Sequence, residues 1–224
     1  MTSAGARDAG TYLGGADNDR AMGVAYDGIN DRCVVVGYGN SINTGAQHIA
    51  SIGGGLPQSQ VNGNNVALGP NDGWVVRLAF SGTQMTRNWG TFWGSPSEDK
   101  LFGVWVDDNN VTAVAPNTAS AGSGGRYFVC GQSNNTVIGN FHGGGGDFTI
   151  AGNNSNMGAA DGVWTQCSPG ASTTTFELSA ITGTNQDDAA YGVMVDNQRN
   201  VHVAGYAIGT GGQNLANGTG AQPT

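Results

Sequence analysis

The sequence predicts an all-β protein built from one sheet-forming unit written three times. Three observations carry that expectation. A spaced motif recurs at fixed internal distances. Short apolar and β-branched runs lie between turn-forming residues. No stretch keeps the i, i+3, i+4, i+7 apolar spacing of a helix, and with 40 Gly in 224 residues long helices are disfavoured. The motif reads Gly14, Asp19, Gly23, Val24, Asp27, then Gly94, Asp99, Gly103, Val104, Asp107, and last Gly183, Asp188, Gly192, Val193, Asp196. Identities at constant spacing in all three copies are not produced by Gly-rich composition alone, and such periodicity is the mark of a repeat architecture.

Laid over one another, the copies predict four strand segments per unit. The first comprises Thr11–Leu13, Thr91–Trp93 and Ala180–Thr182. The second is the end of the motif, Gly23–Tyr26, Gly103–Val106 and Gly192–Val195. The third is Arg32–Gly37, Arg126–Gly131 and Asn200–Gly205, reached through short turn-formers such as Asp27–Asp31 and Asp196–Arg199. In the middle copy that connection is swollen by Ala115–Gly125. The fourth segment opens with Asp-Gly, at Asp72-Gly73 and Asp161-Gly162, and has no counterpart in the third copy. Eleven strands are therefore expected where twelve would complete three units, in one domain over 1–224 with repeats of about 7–83, 84–171 and 172–224. Gly/Asn-rich insertions, roughly Asn43–Pro70 and Asn134–Ala159, separate third and fourth segments. Placed alike in each copy, they are expected to gather on one face, and their Gly content makes them costly to order.

Composition excludes several classes. A net charge of −8 and a single lysine, Lys100, would repel a nucleic-acid backbone. No apolar run approaches the length of a membrane span, and the first residues lack the apolar middle of a signal peptide. Cys33, Cys130 and Cys167 show no metal-ligand spacing; Cys33 and Cys130 lie in Val/Phe-rich runs where a free thiol serves as a small hydrophobe.

The motif and its flanks resemble the SBBP-type β-propeller repeat. Tyr12-Leu13-Gly14-Gly15, Asp19, Gly23-Val24, Asp27 and Val35-Val36-Gly37-Tyr38 carry the first copy, with Asp72-Gly73-Trp74-Val75 as its tail. The sequence departs from the family pattern in three ways. The double glycine occurs only in the first copy, the tail lysine is Arg77 and Gln166, and the loops are long. The resemblance implies four-stranded propeller blades, the last incomplete, and favours an extracellular or cell-surface address. It implies no activity. Three blades are fewer than the 4–8 that close a propeller, so a homo-oligomer or larger assembly completed strand by strand is expected.

Candidate chemistry is sparse. Asp19, Asp99 and Asp188 could ring a channel and hold Ca²⁺ through oxygen ligands; the competing reading has each carboxylate accepting backbone N–H bonds in its own turn. Asp27, Asp107 and Asp196 invite the same turn reading. Trp89 and Trp93 could stack on a glycan, against the commoner role of aromatics as core fillers. His48, His142 and His202 have no ligand spacing, and no nucleophile or phosphate-loop motif is present. Four Asn-x-Ser/Thr sequons, at Asn110, Asn134, Asn153 and Asn217, are no more than such a composition produces by chance. The residues point to a non-enzymatic assembly protein without a cofactor, and, as the alternative, to a lectin-like carbohydrate-binding module.

Overall fold

The computed structural model describes residues 10–15, 17–28, 31–40, 70–81, 84–94, 97–107, 126–134, 159–169, 174–198 and 200–209. Among these, ten strands form three antiparallel sheets. The first sheet runs in order β1 (Asp19–Asp27), β2 (Arg32–Gly39), β3 (Asp72–Ser81), β4 (Gln84–Trp93). The second repeats it with β5 (Asp99–Asp107), β6 (Arg126–Ser133), β7 (Asp161–Pro169) and β8 (Thr174–Thr182). The third consists of β9 (Asp188–Val195) and β10 (Val201–Ala207). The two long insertions, their end residues apart, and the Ala115–Gly125 loop lie outside the described residues.

The repeat is thus realised as sheets, with one displacement. Thr91–Trp93 and Ile181, expected to open the second and third units, belong to β4 and β8, which close the sheets before them. Their counterpart Thr11–Leu13 is not a strand; Tyr12 projects into solvent while Leu13 packs against a core cluster with Trp74 and Phe92. Ten strands therefore stand where eleven were expected, because this segment has no preceding sheet to join among the described residues.

Each lead strand (β1, β5, β9) carries a β-bulge at the same motif position. The register slips between Ala21 and Gly23, between Leu101 and Gly103, and opposite Ala204/Gly205, so that Met22, Phe102 and Tyr191 are the extra residues. Opposite each bulge stands a glycine. A Cβ added at Gly37, Gly131 or Gly205 would lie 1.9, 1.8 or 1.9 Å from the carbonyl oxygen of Arg20, Lys100 or Ala189. No side chain fits there.

The sheets pack face to face through their lead strands. A Cβ on Gly23 would fall 3.0 Å from the Phe102 carbonyl oxygen, and one on Gly103 2.7 Å from that of Tyr191. Backbone also bridges the sheets, from Asp99 N to Asn71 O and from Asp188 N to Ala160 O, both 2.8 Å. Side chains fill the space between. Val34, Val36, Trp89 and Trp93 of the first sheet meet Leu101, Tyr127 and Val129 of the second in the largest core cluster. Phe128 and Cys130 meet Ala190, Val193 and Val195 in the next. Fully burying each large apolar side chain supplies roughly 1.5–3 kcal/mol, so these two seams provide most of the drive to stack the sheets. Among the described residues no helix is long and apolar enough to cross a membrane.

The glycines sort by how much room a methyl group would need. Gly131→Ala, which forces a methyl onto a carbonyl within its own sheet, is expected to cost about 3 kcal/mol or more. Gly103→Ala, pressing on a neighbouring sheet that can shift slightly, is expected to cost about 1–3 kcal/mol. Urea unfolding of the two variants checks that order.

Candidate functional site

The motif's first half builds a turn. Asp19 Oδ2 accepts a 2.7 Å bond from Gly15 N, and Asp188 Oδ2 accepts from Thr184 N, the same step of four residues in two copies. Asp188 also accepts from Thr184 Oγ1 at 2.9 Å and, through Oδ1, from Ile208 N at 3.1 Å. The motif's leading glycine makes room for the carboxylate. Gly14 and Gly94 have φ of 154° and 159°, a region open essentially to glycine alone. A Cβ on Gly94 would lie 2.9 Å from both Asp72 Oδ1 and Asp99 Oδ2, and one on Gly183 2.0 Å from Asp161 Oδ1 and 2.9 Å from Asp188 Oδ2.

Each passage between sheets therefore buries two aspartates, Asp72 with Asp99 and Asp161 with Asp188, all 2% exposed or less. Asp72 and Asp161 are members that the sequence signals only through their recurring Asp-Gly. Calcium takes roughly six to eight oxygens, and no group of three or more His, Cys, Asp or Glu side chains converges among the described residues. Asp19 and Asp188 accept backbone N–H bonds in their own turns, the arrangement that the turn reading expects.

The closing aspartates of the motif diverge. Asp196 acts as the expected turn residue, accepting from Gln198 N and Asn200 N at 2.8 Å each. His202 Nε2 lies 3.0 Å from its Oδ2, and this bond, with those from Asn200, holds the carboxyl well below the usual carboxylate range. His202 occupies the position of Val34 and Phe128 yet is exposed, because no sheet covers that face of β10 among the described residues. Asp27 instead reaches the next sheet. It is fully buried, and Tyr127 OH on β6 donates a 2.7 Å bond to its Oδ2. Arg77 lies beside them, its Nη1 3.5 Å from Tyr127 OH, its Nε donating to Asn88 Oδ1 at 2.6 Å and its guanidinium 5.5 Å over the Trp89 ring. Burial drives the Tyr127 phenol well above its ordinary value, so it remains a donor. Asp107 is buried at the equivalent place in the second sheet.

Trp89 and Trp93, considered above as stacking platforms, are 0% and 1% exposed and lie inside the seam between the first two sheets. Neither presents a ring face to a glycan, because β4 is the closing strand of a sheet that another sheet covers. Partly and fully exposed aromatics lie elsewhere. A row runs across all three sheets near the bulges: Tyr38 edge-on to Phe102 at 6.1 Å, Phe102 against Tyr191 at 4.9 Å, and Tyr191 against Tyr206 at 5.7 Å. Arg20 and Lys100 both sit over the Tyr38 ring, at 5.8 and 5.6 Å. Tyr191 is 53% exposed. Two of these rings, Phe102 and Tyr191, stand on bulge positions that break the strand alternation, which is why pattern reading passes over the row. His48 and His142 lie outside the described residues.

The three cysteines are free. Burial pushes the Cys130 thiol up to about 12, and burial with the charge of Asp31 raises that of the half-buried Cys33.

The fold and site define an all-β repeat protein whose recurring polar residues mainly hold turns and seams. No protein-family model matches the sequence, and no curated protein matches it.

The Asp27–Tyr127 bond can be removed with one oxygen. Tyr127→Phe is expected to lower unfolding free energy by about 1–3 kcal/mol, by depriving a buried carboxylate of a donor. Urea unfolding measures the loss, and a change below about 0.5 kcal/mol would show the bond to be dispensable.

Proposed function

We propose that this chain is a non-enzymatic structural protein of the β-propeller type, whose copies associate to complete an array of blades and display the Gly/Asn-rich loops on one face. The supporting observation is the third sheet. Two sheets have four strands; this one has two among the described residues, and the outer edge of β10 is exposed along most of its length. A strand edge with unpaired backbone groups recruits another strand. The repeat's resemblance to SBBP-type units supports reading each sheet as a blade, and the structural uses found for Asp19, Asp188, Asp27 and Tyr127 support a role without catalysis. Light scattering on the full chain at about 10 µM is expected to show a species larger than one chain; a clean monomer overturns the reading.

A second reading, a carbohydrate-binding module, is favoured by one observation, the partly exposed aromatic row ending at the exposed Tyr191 and Tyr206 with Arg20 and Lys100 at its other end. Aromatic faces beside cationic groups suit the apolar face of a sugar that carries acidic substituents. In that case an acidic glycan quenches the intrinsic fluorescence of the full chain, and Tyr191→Ala removes the response; silence across neutral and acidic glycans excludes it.

A further inference from the structure

The repeat supplies its own standard for what belongs on each face of a sheet. The face that looks toward the following sheet carries Gly23, Val34 and Val36 in the first copy and Gly103, Phe128 and Cys130 in the second. All four side chains are 4% exposed or less, and the lead strand of the next sheet lies on each glycine. The same positions in the third copy are Gly192, His202 and Ala204. Here, among the described residues, a Cβ on Gly192 would meet nothing closer than Ala204 Cβ at 4.0 Å, and His202, Ala204 and Met194 are exposed. Gly192 does not have the positive φ that would call for glycine. Among the described residues, then, neither space nor backbone conformation requires a glycine at 192, and a glycine inside a strand weakens it.

The opposite end of the stack has the matching deficit. Val24 and Tyr26 on β1 are 67% and 56% exposed. Their counterparts are packed into the seams: Val104 and Val106 on β5, Val193 and Val195 on β9. One chain thus carries both halves of the seam it uses twice internally, one half open at each end.

We propose that the open face around Gly192 receives β1 of a second copy of this chain, in the manner in which the first sheet receives β5 and the second receives β9. The inference rests on the self-association reading and says which surfaces meet. Gly192 then takes the carbonyl of Met22 of the second copy, as Gly23 takes that of Phe102 and Gly103 that of Tyr191. Met22 falls on the Tyr206 ring, as Phe102 falls on Tyr38, a contact that a thioether makes favourably. The contact is front to back, so it either closes or grows into a filament. With three sheets among the described residues of each chain, two copies supply six, inside the 4–8 range of closed propellers.

Sedimentation velocity of the full chain from about 1 to 100 µM tests this, with two variants at opposite ends of the stack. Gly192→Val fills space that is open in the single chain, and Val24→Lys changes a side chain already in solvent. Each is expected to retain the far-ultraviolet circular dichroism of the parent and to weaken association at least about tenfold. Should one variant fail to fold, the other decides. Parent protein that associates while a folded variant associates equally well overturns the assignment of these faces but leaves self-association standing. Parent protein that is monomeric across the range overturns both.

Discussion

The molecule depends on backbone meeting backbone between lead strands. Gly23 and Gly103 leave little room for a side chain, because the carbonyl oxygens of Phe102 and Tyr191 lie 3.0 and 2.7 Å from where their Cβ atoms would be. That approach sets the spacing of the sheets, and the spacing sets what fills the seams. Large side chains, Trp89 and Trp93 on β4 and Tyr127 on β6, fill the seam beside that approach. The bulge serves the same end: one additional residue in each lead strand bends it and increases its twist, and the facing glycine lets the partner strand follow.

Polar groups at the seams do a second job. Hydrophobic burial is non-directional and would tolerate sliding of one sheet over another. The backbone bonds from Asp99 to Asn71 and from Asp188 to Ala160 allow one alignment only, and the Tyr127 bond to Asp27 ties residues 100 apart in sequence. A buried carboxylate is costly unless bonded, so a slipped arrangement that separates Asp27 from Tyr127 is penalised. The seam therefore has apolar mass for stability and a few fixed bonds for alignment.

Much of this was legible in the residues. The threefold motif, the all-β class, the hairpins and the turn role of Asp19, Asp188 and Asp196 all follow from spacing and from the chemistry of Gly and Asp. Less legible was anything requiring knowledge of which sheet a strand joins. Thr91–Trp93 precedes the second motif in sequence yet completes the first sheet, and that transfer buries Trp89 and Trp93, the core role that aromatics more commonly take. Asp27 illustrates the limit further. Its local sequence is that of a turn former, as for Asp196, and only the arrival of Tyr127 from another sheet converts it into a buried anchor. The row Tyr38, Phe102, Tyr191 and Tyr206 was hidden for a different reason, since Phe102 and Tyr191 stand on bulges, which remove the two-residue period by which strand faces are read.

The pairing of Gly39 with Asp72, and of Ser133 with Asp161, bears on how such a chain can change. In both cases the ladder itself clamps the two roots of a long connection side by side. Once the roots are clamped, doubling the length of what lies between them costs only about 0.6 kcal/mol in closure entropy. These two hairpin ends are therefore natural grafting points, where a foreign peptide or a whole small domain could be spliced in while the sheets beneath keep their alignment.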